Sequence, residues 1–188
     1  MSTIFAGGSR SVTRLGDAAL QRITNIITSN HRVIVGDADG ADTAIQRHLL
    51  AAGYLDVEVF CSGPRFRNNL GNWRAHHIRP PREAAGFQCY AAKDRAMAEA
   101  ADFGLMIWDG KSPGTILNVL RLLRGGKAAV LVASADASRS FKSIHDWESF
   151  LASCRPQLVH AIKQRATPEE WHPNDLAVRA LAARSQTG

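Results

Sequence analysis

Three apolar runs in this chain each end in a glycine-rich turn, and that repetition restricts the fold more than any other feature. Ile4-Phe5-Ala6 leads into Gly7-Gly8-Ser9-Arg10. Val33-Ile34-Val35 leads into Gly36-Asp37-Ala38-Asp39-Gly40-Ala41-Asp42, and Leu105-Met106-Ile107-Trp108 into Asp109-Gly110-Lys111-Ser112-Pro113-Gly114-Thr115. Continuous apolar character marks a strand buried on both faces, as in a parallel sheet. Each turn stands where such a strand gives way to a helix. In an open α/β sheet these turns gather at the carboxyl edge, where ligands bind. Glycine admits close approach of a ligand to the backbone, and a helix start offers free N–H groups and a positive dipole end. Three such turns in register predict one cradle for a nucleotide-like anion.

The remaining pattern predicts strands at Thr3–Ala6, Arg32–Val35, Val57–Phe60, Phe103–Trp108 and Ala128–Ala133. Helices are expected over Asp17–Ser29, where Leu20, Ile23, Ile26 and Ile27 recur at helical spacing, and over Ala41–Ala52, closed by Gly53. Two more are expected over Ala91–Ala101 and Gly114–Leu123, the second ended by Gly125-Gly126. The fold class is therefore α/β: a Rossmann-like open parallel sheet of about five strands with helices on both faces. Residues 1–133 form this unit. Residues 61–86 interrupt it with no sustained periodicity, three prolines and Arg65, Arg67, Arg74, Arg79 and Arg82; a loop of that length is functional or an insertion.

Residues 134–188 read as a helical C-terminal extension. Helices are expected over Ile144–Cys154, Pro156–Gln164 and Asp175–Ala183, with Thr167-Pro168-Glu169-Glu170 as a capping box. The extension is expected to pack on the α/β unit or on a second subunit, and a homo-oligomer is the expected state.

Composition bounds the function. Of 188 residues, 45% are hydrophobic, enough for a core. No apolar run approaches the roughly 20 residues of a membrane span, so no membrane partner is expected. The first residues lack the charged start and cleavage site of a secretory signal. The 3 cysteines, Cys61, Cys89 and Cys154, are widely spaced and form no Cys-x-x-Cys pair. These features fit a cytoplasmic protein. A net charge of +6 admits nucleic acid or a phosphorylated small molecule as partner.

In the first turn, Ser9 can donate to a phosphate and Arg10 can pair with one bidentately. In the second, Asp37, Asp39 and Asp42 suit a helix start by capping and dipole complementarity; equally, one of them can accept from a ribose hydroxyl or a base. The twelve-residue loop and terminal Glu of a calcium site are absent. In the third turn, Gly110-Lys111-Ser112 resembles part of a P-loop, but the upstream glycine is Gly104, misplaced within a strand. His76-His77 have no nearby carboxylate or cysteine to complete a zinc site. Neither a metal nor a cofactor is expected. Trp73 and Trp108 could stack on a base, although burial is the commoner fate of tryptophan.

Taken together, Ile4 through Arg10, Val35 through Asp42, Asp94-Arg95-Ala96-Met97 and Asp109 through Thr115 resemble the Rossmannoid superfamily called SLOG. It includes LOG-type cytokinin phosphoribohydrolases (the "lysine decarboxylase-like" proteins), the DNA-processing protein A family, and nucleotide-sensor proteins. The likeness covers residues 1 to about 133. It implies a pocket for a nucleotide or nucleoside phosphate; the residues expected to line it are Gly7, Gly8, Gly36, Gly40, Ala41, Asp109, Gly110, Gly114 and Thr115, with Ser112 and Thr115 donating hydroxyls and Asp37, Asp42 or Asp109 reading ribose or base. In hydrolytic members an arginine followed by lysine or asparagine contacts the ligand, and Arg95 stands there, followed by Ala96. Their Pro-Gly-Gly-x-Gly-Thr-x-x-Glu motif supplies a catalytic carboxylate; here Asn118 occupies the Glu position. Asparagine cannot act as a general base, and Asp109, at a strand end, is the substitute candidate. The expected function is nucleotide binding, in sensing or processing. The alternatives are N-glycosidic hydrolysis of nucleoside monophosphates and single-stranded DNA binding through the 65–82 arginine loop.

Overall fold

The alternation of apolar strands and amphipathic helices closes into a seven-stranded sheet. The computed structural model describes residues 1–133 and 136–171. In chain order the elements are β1 (Thr3–Gly8), α1 (Asp17–Thr28), β2 (Arg32–Gly36), α2 (Ala41–Ala51), β3 (Val57–Ser62), β4 (Arg74–Ile78), α3 (Phe87–Ala100), β5 (Phe103–Trp108), α4 (Pro113–Arg124), β6 (Ala129–Ala133), β7 (Ser138–Phe141), α5 (Ile144–Ala152), α6 (Pro156–Arg165) and the single turn α7 (Pro168–Trp171). The sheet order is β4-β3-β2-β1-β5-β6-β7. All neighbours are parallel except β6 and β7. The α/β reading from sequence holds.

Strand periodicity sorts the core into two layers. Ile4, Ala6, Val33, Val35, Val57, Val59, Leu105 and Ile107 pack with Ile23, Ile45 and Leu49 of α1 and α2. The alternate residues Phe5, Ile34, Phe60 and Met106 pack with Met97 of α3 and Ile116, Leu117 and Leu120 of α4. Helices therefore cover both faces.

All five expected strands are present, and two more extend the sheet at its edges. β4 lies inside the arginine-rich insertion and pairs with β3, Phe60 opposite His76. β7 lies in the segment expected to be a helical extension and pairs with β6, Leu131 opposite Arg139. Edge strands pair through the backbone and need little apolar surface, so Arg-Ala-His-His-Ile and Ser-Arg-Ser-Phe carry no strong strand pattern. Charged side chains on exposed edges also discourage edge-to-edge association.

The described part of the C-terminal extension packs on the α/β unit. Phe141, Trp147, Phe150 and Ile162 belong to the same buried cluster as α4. Thr167 and Glu170 form the expected reciprocal cap, with Thr167 N donating to Glu170 Oε2 (2.9 Å) and Glu170 N to Thr167 Oγ1 (3.2 Å). The helix expected over Asp175–Ala183 lies outside the described residues. No helix among those described is long and apolar enough to cross a membrane.

Candidate functional site

The chain winds outward from β1 to β2, β3 and β4, then returns to place β5 on the other side of β1. A crevice opens at the carboxyl ends of β1 and β5, the position at which open α/β sheets bind ligands. At the ends of these paired strands Gly7 stands beside Met106 and Gly8 beside Ile107. A side chain at Gly8 would run into the Ile107 carbonyl, so glycine there permits the strand contact itself.

Ser9 ties the three turns together. It is 2% exposed. Its N donates to Ile107 O (2.9 Å), and its carbonyl accepts from Ala41 N (3.1 Å). Its hydroxyl lies 2.9 Å from Thr115 Oγ1 and accepts from Asp109 N at 3.2 Å. The hydroxyl expected to reach a phosphate is thus committed to joining the turns.

Above Ser9 lies a cavity of about 470 Å³. The first turn contributes Gly7, Gly8, Ser9 and Arg10, the second Ala38 and Asp42, and the third Ser112, Gly114 and Thr115. The cavity also takes Lys93, Asp94 and Asn118, from α3 and α4. Gly36, Asp37, Gly40, Ala41, Asp109, Gly110 and Arg95 do not line it.

The start of α4 is open to a ligand. Ser112 stands at its N-cap, yet no side chain caps the helix, because the Ser112 hydroxyl donates to Asp109 Oδ2 (2.7 Å). Gly114 is not demanded by packing: an added Cβ would meet only the Phe87 ring, at 3.5 Å. Glycine in a helix costs about 1 kcal/mol relative to alanine. An uncapped helix start without a side chain at Gly114 suits a bound anion.

The three aspartates of the second turn do three different things. Asp37 accepts from Arg67 Nε (3.1 Å), NH2 (2.7 Å) and backbone N (3.0 Å), pinning the insertion to the sheet edge. Burial works to raise its carboxyl, and the Arg67 hydrogen bonds override burial, leaving it below the ordinary range. Asp39 accepts from Asn68 Nδ2 (3.0 Å) at the surface. Only Asp42 reaches the cavity. Gly40 adopts φ +82°, and the Arg10 backbone stands where its side chain would be; this glycine lets the first two turns touch.

The cavity floor is ionic. Lys93, 4% exposed, places Nζ 2.9 Å from Asp94 Oδ1 and 3.5 Å from Asp42 Oδ2. Burial disfavours the ammonium, but Asp94 and Asp42 outweigh it and hold Lys93 charged, well above the lysine range. Asp94 is half-buried; desolvation works to raise its carboxyl, but Lys93 and Arg121 reverse that and keep it below the carboxylate range, and the Asn118 amide supports it. Asp42 goes the other way: burial pushes its carboxyl up more than Lys93 pulls it down. The floor therefore holds an ion pair and a second carboxylate that resists ionisation.

Two candidate catalytic residues face elsewhere. Asp109 accepts from the Ser11 hydroxyl, from Lys111 N (3.0 Å) and from Ser112 N (2.7 Å). Burial raises this carboxyl, but the Ser11 and Ser112 hydroxyls and those amides take it far below the ordinary range. Its acceptor capacity is spent closing the turn, so it is no base for the cavity. Arg95 donates through Nε to Glu170 Oε1 (2.8 Å) and through NH2 to Gln88 Oε1 (2.6 Å), holding α7 rather than a ligand.

Sequence reasoning missed Lys93 and the pair Phe87 and Tyr90, which line the cavity from the first half of α3. The helix was expected to start at Ala91, four residues late. Phe87, Tyr90, Asp94 and Met97 share helical spacing, a signal hidden by that boundary. Trp73 and Trp108 are structural: their Nε1 groups donate to Tyr54 O (3.1 Å) and Ser112 O (3.0 Å). His76 sits over Phe60 with Nε2 2.8 Å from Glu58, and among the described residues no three His, Cys, Asp or Glu side chains gather as a metal cluster. In the insertion, Arg65, Arg74, Arg79 and Arg82 are exposed, whereas Arg67 is paired.

Comparison with known proteins adds no family: no protein-family model matches the chain, and no curated protein matches it.

Proposed function

We propose that the cavity at the β1–β5 crevice binds a nucleotide or nucleoside phosphate, and that the protein senses or processes it. The observation that carries this reading is the convergence of three separate βα turns on one cavity of about 470 Å³, within the range of small-molecule sites. The phosphate would sit at the uncapped start of α4, on the Gly114 and Thr115 amides, with Arg10 adding charge. Asp42, an acceptor on the floor, would take hydrogen bonds from ribose hydroxyls or a base amine. The SLOG likeness of the same turns supports the assignment, as does a net charge of +6.

Native mass spectrometry of the purified protein, followed by calorimetry with ribonucleoside phosphates, tests the reading. A carried-over nucleotide or a saturable heat is expected. A protein that emerges empty and binds none of them overturns it. Sedimentation in the same buffer checks the expected homo-oligomer.

A second reading, N-glycosidic cleavage of nucleoside monophosphates, is favoured by the two carboxylates Asp42 and Asp94 on the cavity floor. An ionised carboxylate such as Asp94 beside the sugar stabilises an oxocarbenium-like transition state, and a carboxyl that resists ionisation, such as Asp42, can donate a proton to the leaving base. Chromatography for released base, with wild type and Asp42→Asn, distinguishes cleavage from binding alone. Affinity for single-stranded DNA that falls steeply with salt would favour the insertion arginines instead.

A further inference from the structure

The C-terminal extension reaches into the cavity. Arg165, the last residue of α6, lines it. Its guanidinium lies over the Phe87 ring, 4.9 Å from the centroid, and that of Arg10 lies over the Tyr90 ring, also at 4.9 Å. Phe87 and Tyr90 are three residues apart and share a face of α3. Two guanidiniums from distant parts of the chain thus stand on neighbouring rings at one cavity. Neither forms an ion pair among the described residues. Arg67 also lies over Tyr90, at 5.4 Å, but its charge is met by Asp37.

A continuous set of hydrogen bonds joins this end of the extension to the cavity wall. Gln88 Nε2 donates to Arg165 O (3.0 Å), and Gln88 Oε1 accepts from Arg95 NH2 (2.6 Å). Arg95 Nε (2.8 Å) and Arg121 Nε (2.7 Å) both donate to Glu170 Oε1. Arg121 NH1 donates to Asn118 Oδ1 (2.6 Å), and Asn118 lines the cavity. Arg121 is 7% exposed, so its contacts to Glu170 and Asn118 are made away from water, where removing a partner is costly.

We propose that the extension is a working wall of the binding site: Arg165 contacts the anionic group of the bound ligand, and ligand occupancy and docking of α6 and α7 reinforce each other through Gln88, Arg95, Glu170, Arg121 and Asn118. This rests on the nucleotide reading of the cavity for the identity of the ligand, not for the presence of an anion. Coupling of this kind is reciprocal: whatever affinity the docked extension adds, the ligand returns as stability of the docked state.

The test measures binding of the four ribonucleoside 5′-monophosphates and of inorganic phosphate by calorimetry. Hydrogen exchange over residues 156–171 is followed with and without each probe. The proteins are wild type, Arg165→Ala, Arg165→Lys, Glu170→Gln and, as an exposed control on α6, Lys163→Ala. Arg165→Ala is expected to weaken nucleotide binding about tenfold or more, the scale of a lost charge-assisted hydrogen bond. Arg165→Lys recovers part of that, and Lys163→Ala stays within about twofold, since it keeps every contact described. Ligand slows exchange over 156–171 in wild type and not in Arg165→Ala. Wild-type affinity in Arg165→Ala, or exchange unaffected by a ligand that binds, overturns the inference. So does a Glu170→Gln protein with a loosened α7 and undiminished affinity. If no nucleotide binds but phosphate protects 156–171 through Arg165, the nucleotide reading falls and the inference stands. If neither binds, both fall.

Discussion

The Lys93 ammonium occupies the space in which a side chain at position 36 would stand. An added Cβ on Gly36 would collide with Lys93 Nζ and Asp42 Oδ2. The second glycine-rich turn is thus shaped by an ion pair reaching across from α3. Gly36→Ala must displace Lys93 from its two carboxylates. Disturbing a buried ion pair costs about 2–4 kcal/mol. A lower denaturation midpoint is expected, together with loss of ligand affinity. A Gly36→Ala protein as stable as wild type would show that Lys93 moves aside freely.

Gly114→Ala separates folding from binding. The site has room for the methyl group against Phe87, at 3.5 Å, and alanine is the better helix former. Stability is expected to stay level or rise by up to about 1 kcal/mol. Nucleotide affinity is expected to fall about tenfold or more, because the methyl group stands beside the amides that would cradle the phosphate. Equal affinity in the two proteins would remove the α4 start from the site.

Glu170 makes part of the stability pH-dependent. Burial opposes its ionisation, but Arg95 and Arg121 bring its carboxyl down to about 2 from the usual 4.5. A carboxyl depressed in the folded state contributes fully above its unfolded value and is lost as pH falls through its folded value. The contribution, on the order of 3 kcal/mol, should disappear between about pH 4.5 and pH 2. Glu170→Gln should flatten the acid limb of the stability curve in that window. An unchanged limb would assign acid sensitivity to other carboxylates, such as Asp37 or Asp94.

Asp37→Asn should release the insertion from the sheet. Asp37 is 2% exposed and takes three hydrogen bonds from Arg67; losing the charge weakens them by about 1–3 kcal/mol. Faster proteolysis near residues 64–70 is the expected result. Cleavage at the wild-type rate would mean that Asn68 and Trp73 hold the loop without Asp37.

Asp109→Asn is expected to lower stability by about 1–2 kcal/mol, since Asp109 closes its own turn on the Ser11 and Ser112 hydroxyls and two backbone amides. Any base release by the protein should continue undiminished. Turnover abolished in a folded Asp109→Asn protein would return this residue to the mechanism.

The strand–turn–helix order was legible because buried parallel strands must be apolar and the turns after them need glycine. Both are local demands written in consecutive residues: Ile4-Phe5-Ala6 before Gly7-Gly8, and Leu105-Met106-Ile107 before the Asp109–Thr115 turn. The edge strands β4 and β7 were not legible, because backbone pairing to β3 and β6 forms them and leaves their side chains nearly unconstrained. The division of labour among Asp37, Asp39 and Asp42 was equally hidden. It depends on Arg67, Asn68 and Lys93, residues 29 to 51 positions away that only chain crossing brings near. Sequence alone determined that three apolar strands each run into a glycine-bearing turn and then a helix. Tertiary packing decided which groups face the cavity: it turned Asp109 and Arg95 to structural duty and put Lys93 on the floor. An ionisable side chain's role follows from the partners that desolvate and pair it, and those partners are set by the fold.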